Sequence, residues 1–153
     1  MTAIVRVQTE DFDVGVELVE LRSRLGGQVG AVASFVGLVR DRHDASSVTG
    51  LYLEHYPGMT EKSLQAIVEQ AHDRWPLLDV VVVHRVGQLL PADQIVFVQV
   101  ASKHRAAAFA ACEFVMDFLK TDAVFWKRES QPNAERWVES TEDDGARRQE
   151  WEC

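Results

Sequence analysis

Two hydrophobic periods alternate along this chain, and they predict its elements. Between residues 12 and 25, Val14, Leu18, Leu21 and Leu25 fall at helical spacing, and Gly26-Gly27 supply a stop. Residues 60–75 repeat the pattern with Leu64, Ile67, Val68, Ala71 and Trp75; Glu61 lies in the first turn and Pro76 just beyond the end. A third helix is predicted over 104–119, capped by Ser102, with Phe109, Cys112, Met116 and Leu119 on its inner face.

The other period is that of strands. Short apolar or alternating runs occur at 4–8, 30–40, 48–56, 79–86, 94–101, 124–129 and 136–139. In the third, Leu51 and Leu53 take one face and Tyr52, Glu54 and Tyr56 the other, until Pro57-Gly58 breaks the strand. The Val-rich run at 79–86 reads as buried and is joined to 94–101 through a turn at 87–93 containing Pro91, which makes these two antiparallel neighbours. Gly37 permits a bulge or a close approach by another group. Residues 41–47 (DRHDASS) are a polar, turn-rich loop able to cover a site, and Pro132-Asn133 form a turn between the last two strands.

The pattern sums to one α+β domain over 1–140, a mixed or antiparallel sheet with three main helices. The charged segment 141–153 follows as a tail, or as a short helix used on a partner.

Composition narrows the class. At 153 residues, with 46% hydrophobic and 26% charged content, the chain suits one soluble domain with a real core. No apolar run is long enough to cross a bilayer and no leader pattern is present, so the cytoplasm is the expected compartment and no membrane partner is expected. A net charge of -8 and a pI near 5.1 argue against a nucleic-acid partner. Cys112 sits among apolar helix positions and reads as a packed thiol, and Cys153 ends the chain. There is no phosphate-binding glycine loop, dinucleotide fingerprint, HExxH or nucleophile elbow, and the histidines at 43, 55, 72, 84 and 104 lack metal-ligand spacing, so neither metal nor cofactor is expected.

Against this acidic background the cations stand out. Lys120 and Lys127 are two of only four lysines. The first falls at the end of the third predicted helix and the second inside the short aromatic strand that follows. Two ammonium groups aimed into one aromatic-walled pocket would suit an anionic substrate, and a desolvated lysine makes a useful acid or base. Alternation places Lys127 and Glu129 on one strand face and Arg128 on the other, where Glu129 can tune Lys127. Arg40 ends the strand after Gly37. Ser102-Lys103-His104-Arg105 occupy a strand-to-helix junction, where free N–H groups and the helix dipole favour an anion. The ordinary alternative for each is a solvated surface charge. From composition and spacing alone the reading stops at a pocket for a small phosphorylated molecule.

The runs FVGLVRD (35–41), LYLEHYPGMTEKSL (51–64), HRVGQLLPADQIVFVQVASKHR (84–105) and FVMDFLKTDAVFWKRE (114–129) carry more. In their order and spacing the chain resembles, over about residues 4–140, the large, catalytic subunit of molybdopterin synthase. The resemblance implies an α/β-hammerhead fold and a homodimer flanked by two small ubiquitin-like sulfur carriers, a heterotetramer. It implies transfer of two sulfurs, carried as a thiocarboxylate on the carrier's C-terminal Gly-Gly, into cyclic pyranopterin monophosphate to make the dithiolene of molybdopterin.

By position in these motifs the substrate pocket carries over to Leu38, Val39, Arg40, His104, Arg105, Lys120, Lys127, Arg128 and Glu129. Lys120 is then the residue that polarises the thiocarboxylate carbonyl or shuttles protons. Lys127 supports it or stabilises the oxyanion. Sulfur arriving on a partner's tail also explains why no active-site cysteine is evident, and a chain ending Trp151-Glu152-Cys153 is not itself the carrier. One departure is that Ser140 and Thr141 stand where some relatives offer another basic residue.

The rival reading is a non-enzymatic α+β module that senses a phosphorylated metabolite. It needs a basic pocket but no exact lysine pair, so it would tolerate Lys120→Arg. A scaffold that only holds the carrier is opposed by the intact lysines, and RNA binding by the lack of a basic, aromatic-studded strand face.

Overall fold

A computed structural model describes residues 2–43, 46–47, 49–123, 125–131, 134–138 and 142–151; residues 42–43, 46–47, 126, 128–131, 134–138 and 142–143 are described through their backbone alone. The predicted turn at Pro132-Asn133, the departure at Ser140 and Thr141, and Cys153 lie outside the described residues.

In chain order the elements are β1 (Thr2–Gln8), α1 (Val14–Leu25), a 3-10 turn (Gly26–Gln28), β2 (Ala31–Leu38), β3 (Arg42–His43), β4 (Ser46–Ser47), β5 (Gly50–His55), α2 (Met59–Arg74), β6 (Leu77–Arg85), β7 (Gly87–Leu89), β8 (Gln94–Ser102), α3 (Arg105–Asp122), β9 (Phe125–Gln131), β10 (Ala134–Val138) and α4 (Glu142–Glu150). They build two four-stranded sheets, ordered β1-β6-β8-β2 and β10-β9-β5-β7, with β3 and β4 pairing as a short ladder. In the first sheet only β1 and β6 run parallel. The predicted antiparallel pairing of residues 79–86 with 94–101 is the central β6–β8 ladder.

The continuous valine run of β6 follows from burial on both faces. Val80 and Val82 join Leu64, Ile67, Val115 and Phe118 in the main core under α2 and α3, while Val81 and Val83 pack with Phe12 and Phe97 on the opposite face. Helix α1 is bound to that second face by charge as well as by Leu21, which is fully buried. Arg6 pairs with Glu17, and Arg24 reaches both oxygens of the buried Asp79 carboxylate at 3.3 Å, where the Thr2 hydroxyl also donates.

Several expectations are corrected. Phe109 is 65% exposed and does not line the inner face of α3. The buried stripe is Ala108, Ala111, Cys112, Val115 and Leu119, and Phe109 lies one residue, about 100° of helix rotation, off it. Leu18 of α1 is exposed for the same reason. The N-cap of α3 is His104, without a side-chain cap; the Ser102 hydroxyl donates to the Pro76 carbonyl at 3.1 Å and accepts from the His104 N–H at 3.5 Å.

The turn predicted over 87–93 contains β7, which pairs with β5. Gly87 makes the crossing: at φ +87° it takes the left-handed bend that carries the chain from the first sheet to the second.

The charged C-terminal segment contains α4, which docks on this chain's own α3. Arg147 bonds Asp117 at 2.9 Å, and Arg148 bonds Asp122 at 2.7 Å. Trp151 stands edge-on to Trp75 and Phe114 and donates its indole N–H to Asp117 at 2.6 Å.

Candidate functional site

The second sheet meets the first along a small apolar seam of Val39, Leu51, Leu53, Val86 and Leu89. At one end of that seam the chain gathers its chemistry. Across the first sheet, Gly37, Val96 and His84 are neighbouring positions on β2, β8 and β6. A Cβ on Gly37 would stand 2.6 Å from the Val96 side chain, so glycine here lets β2 lie close before it bulges at Leu38. Immediately beyond, Val39 is buried and clamped by backbone bonds, donating to Asp93 at 2.9 Å and accepting from Ala92 at 2.7 Å. Leu38 and Arg40 on either side of it are exposed, as two-residue alternation requires.

Strand β9 enters the same end from the other sheet. Its pairing with β5 sets Phe125 opposite His55 and Lys127 opposite Leu53. Leu53 is 1% exposed, so the face that carries Lys127 and Phe125 is the inward one, and Lys127 is half-buried. Phe125 stacks on His84, ring centroids 3.9 Å apart and 23° from parallel. His84 is buried, and its Nδ1 lies 2.8 Å from the Arg85 carbonyl. A carbonyl oxygen only accepts, so Nδ1 carries the hydrogen.

Burial is the main cause that pushes His84 down to a pKa of about 3; the ammonium charges of Lys127 and then Lys120, and after them His55, push the same way. Both lysines therefore act on one buried imidazole. Lys120 arrives there because α3 runs back across β8 and β2 and ends beside β9, and its own side chain stays exposed.

His55 closes the cluster from β5. Its Nε2 is 3.9 Å from Glu61, the first-turn acid of α2, whose other oxygen accepts from the Gly58 N–H at 2.6 Å.

The two remaining cations of the predicted set are elsewhere. His104 and Arg105 open α3 at the Ser102 end of β8, whereas Arg40 follows the β2 residue that pairs with Gln94 at the other end. From Arg105 to Lys120 the helix rises about 22 Å at 1.5 Å per residue. Within one chain, then, Leu38, Val39, Arg40, Lys120 and Lys127 share an end of the fold, and His104 and Arg105 do not. Arg128 pairs with Tyr52 and Glu129 with Leu51 through their backbones, and their side chains lie outside the described residues.

Sequence reasoning overlooked His84 and His55, and the only signal for His84 was a titratable residue ending an otherwise all-valine run. Among the described residues, no three of His, Cys, Asp and Glu gather as a metal site. Cys112 is buried, which raises its thiol pKa to about 11 and leaves it a poor nucleophile at neutral pH. No helix is long and apolar enough to cross a membrane.

Known proteins resemble this chain in sequence and fold. Residues 7–122 match the family model described as MoaE protein. A molybdopterin synthase catalytic subunit from Ralstonia nicotianae is 57% identical over 136 residues, 89% of this chain and 77% of that protein. One of the same name from Vibrio cholerae is 55% identical over 148 residues, covering 97% of both. The solved molybdopterin biosynthesis MoaE protein of Burkholderia ambifaria superposes with a TM-score of 0.84 at 52% identity, covering 99% of each chain.

Proposed function

The chain belongs to the MoaE protein family, the catalytic subunits of molybdopterin synthase, and we propose that it transfers two sulfurs into cyclic pyranopterin monophosphate from the thiocarboxylated Gly-Gly end of a small carrier subunit. Each transfer breaks one carbon–sulfur bond on the carrier and one carbon–oxygen bond on the pterin, whose oxygen leaves with the phosphoryl group or as water. It makes one carbon–sulfur bond on the pterin, and a second water returns the carrier's glycine to a carboxylate. The compartment is the cytoplasm.

What supports this reading is the placement of Lys127 on the inward face of β9, beside the His84–Phe125 stack, with Lys120 at the end of the helix that leads into that strand. Lys120, exposed at the end of its helix and free to follow a reacting group, polarises the thiocarboxylate carbonyl or passes protons. Lys127, half-buried on the inward face, stabilises the oxyanion that develops on the carbonyl. In the single chain the Lys120 end is open to water. A carrier tail laid along Leu38 and Val39 would cover it, and cover would strengthen both charges. Arg40, Arg128 and Glu129 contribute to binding the phosphate and pterin.

His104 and Arg105 enter this scheme from a second copy of the chain. At about 22 Å from Lys120 along α3 they cannot serve the same pocket in their own chain. Their position at the helix N-terminus disfavours a cation unless an anion is supplied. A homodimer that laid this helix start against its partner's seam would supply the substrate phosphate as that anion.

Reconstitution tests the whole. The protein is mixed with thiocarboxylated carrier and cyclic pyranopterin monophosphate, and the dithiolene is assayed. Formation of product that depends on both additions is expected; no product with an intact fold and bound carrier would remove the reading.

A further inference from the structure

Helix α3 carries three acids, Glu113, Asp117 and Asp122, all within seven residues of Lys120. Asp117 matters most to that lysine. It lies three residues before Lys120, on the adjoining turn, and an acid ahead of a base is the favoured order for a helical ion pair. On its own helix, then, the Lys120 ammonium has a carboxylate within reach. It does not take it: among the described residues Lys120 has no hydrogen-bond or ion-pair partner, and its side chain is exposed.

Helix α4 is the cause, because its side chains hold all three acids. The Arg147 guanidinium spans two of them, with Nε 2.9 Å from Asp117 and Nη2 2.5 Å from Glu113. Arg148 grips Asp122 through Nε at 2.7 Å and Nη2 at 3.1 Å, and lies 4.9 Å over the Phe118 ring. Asp117 is closed from two sides. Arg147 bonds Oδ1, the Trp151 indole N–H bonds Oδ2 at 2.6 Å, and the residue is buried. Arg74 of α2 secures that tryptophan in turn, donating to its carbonyl at 2.5 Å. Exposed ion pairs contribute little stability, and Trp151 already supplies the apolar packing, so two arginines on three acids exceed what docking α4 requires.

We propose that Arg147 is a positioning residue for Lys120: by holding Asp117 and Glu113 it keeps the acids of α3 from pairing with the ammonium, which stays uncompensated and free to reach a reacting group. A lysine neutralised by its own helix would give up its proton less readily and place a weaker field on a developing oxyanion. The carboxylates that dock α4 are the ones that would otherwise quench Lys120.

This rests on the sulfur-transfer reading for what Lys120 does, and not for what keeps it unpaired, so the two are measured apart. The first measurement uses the protein alone. Limiting acetic anhydride acylates a lysine through its neutral amine, and mass spectrometry reads Lys120 against Lys103, which is exposed near the other end of α3. Arg147→Met keeps the stem of the side chain and removes its donors. In that variant the Lys120 rate is expected to fall about threefold relative to Lys103, the size of one partly exposed ion pair. Asp117→Asn in the same background should restore it. A rate that does not fall, or that Asp117→Asn fails to restore, overturns the proposal.

The second uses the reconstituted synthase. Arg147→Met is expected to lower kcat about threefold with KM nearly unchanged, and Asp117→Asn in that background to bring kcat back. A purely structural role for α4 gives the opposite order, because the double variant loses a further part of the clasp and falls lower; that order, or an unchanged kcat in Arg147→Met, overturns the proposal. Should Arg147→Met not fold, Arg147→Gln, which keeps a donor but no charge, is read by the same criteria. A synthase inactive with the unaltered chain would count against the sulfur-transfer reading and leave the acylation result standing.

Discussion

The two ends of α3 both carry cations, in opposite electrical settings. At the Lys120 end the helix dipole favours a positive charge, and the chain turns straight into β9, whose Phe125 stacks on buried His84 and whose Lys127 follows on the same face. At the other end His104 and Arg105 stand exposed on the positive pole of the same dipole, and among the described residues neither side chain has a hydrogen-bond or ion-pair partner. The first pair is explained by its own chain. The second finds no such surroundings among the described residues. Lys120, His104 and Arg105 are all exposed; what differs is the pole of the dipole each occupies and the element the chain leads into.

Removing a charge from each end should separate these roles. On the reading above, Lys120→Ala lowers product formation by about a hundred- to a thousandfold, the scale of losing an electrostatic stabiliser, while the thermal midpoint and carrier binding stay unchanged. Arg105→Ala loses activity as well, through KM. If Arg105 serves the partner's pocket, mixing the two inactive variants with exchange of subunits restores about a quarter of the activity, because half of the dimers are mixed and each mixed dimer holds one intact site. No recovery would place Arg105 outside the partner's pocket.

The lysine end is also the end sensitive to acid. His84 titrates near pH 3 in the fold against an ordinary value of 6.5, so the unfolded chain binds the extra proton in between. Stability contributed by neutral His84 is complete above about pH 6.5 and falls as the pH drops toward 3, at up to about 1.4 kcal/mol per unit. Urea melts at pH 7 and pH 5 should show this slope in the parent and a shallower one in His84→Phe, where His72, also pushed down by burial, still contributes.

A smaller effect comes from the clasp on the outside of α3. Trp151→Ala removes the edge-on contacts with Trp75 and Phe114 and one of the hydrogen bonds to the buried Asp117. The expected cost is about 2 kcal/mol and a melting point lower by about 6 °C. If α4 also steadies the Lys120 end, kcat drops with it; an unchanged kcat would show that the lysine end is set by the seam alone.

Local pattern by itself determined much of this protein. The three long helices follow from apolar spacing, the doubly buried β6 from its valines, and the antiparallel β6–β8 pair from the short connection between them. A lysine at a helix end and another on an aromatic strand are legible for the same reason: periodicity and chain breaks are properties of neighbouring residues. The seam was not legible, because it forms where residues near positions 39, 55, 84 and 125 meet, and spacing carries no information about which strands become neighbours. Only the tertiary structure could turn β7 into the second sheet at Gly87, roll Phe109 outward and fold the charged C-terminal helix back onto α3. It alone set His84 against Phe125, and put the length of a helix between cations that the sequence motifs had grouped into one pocket.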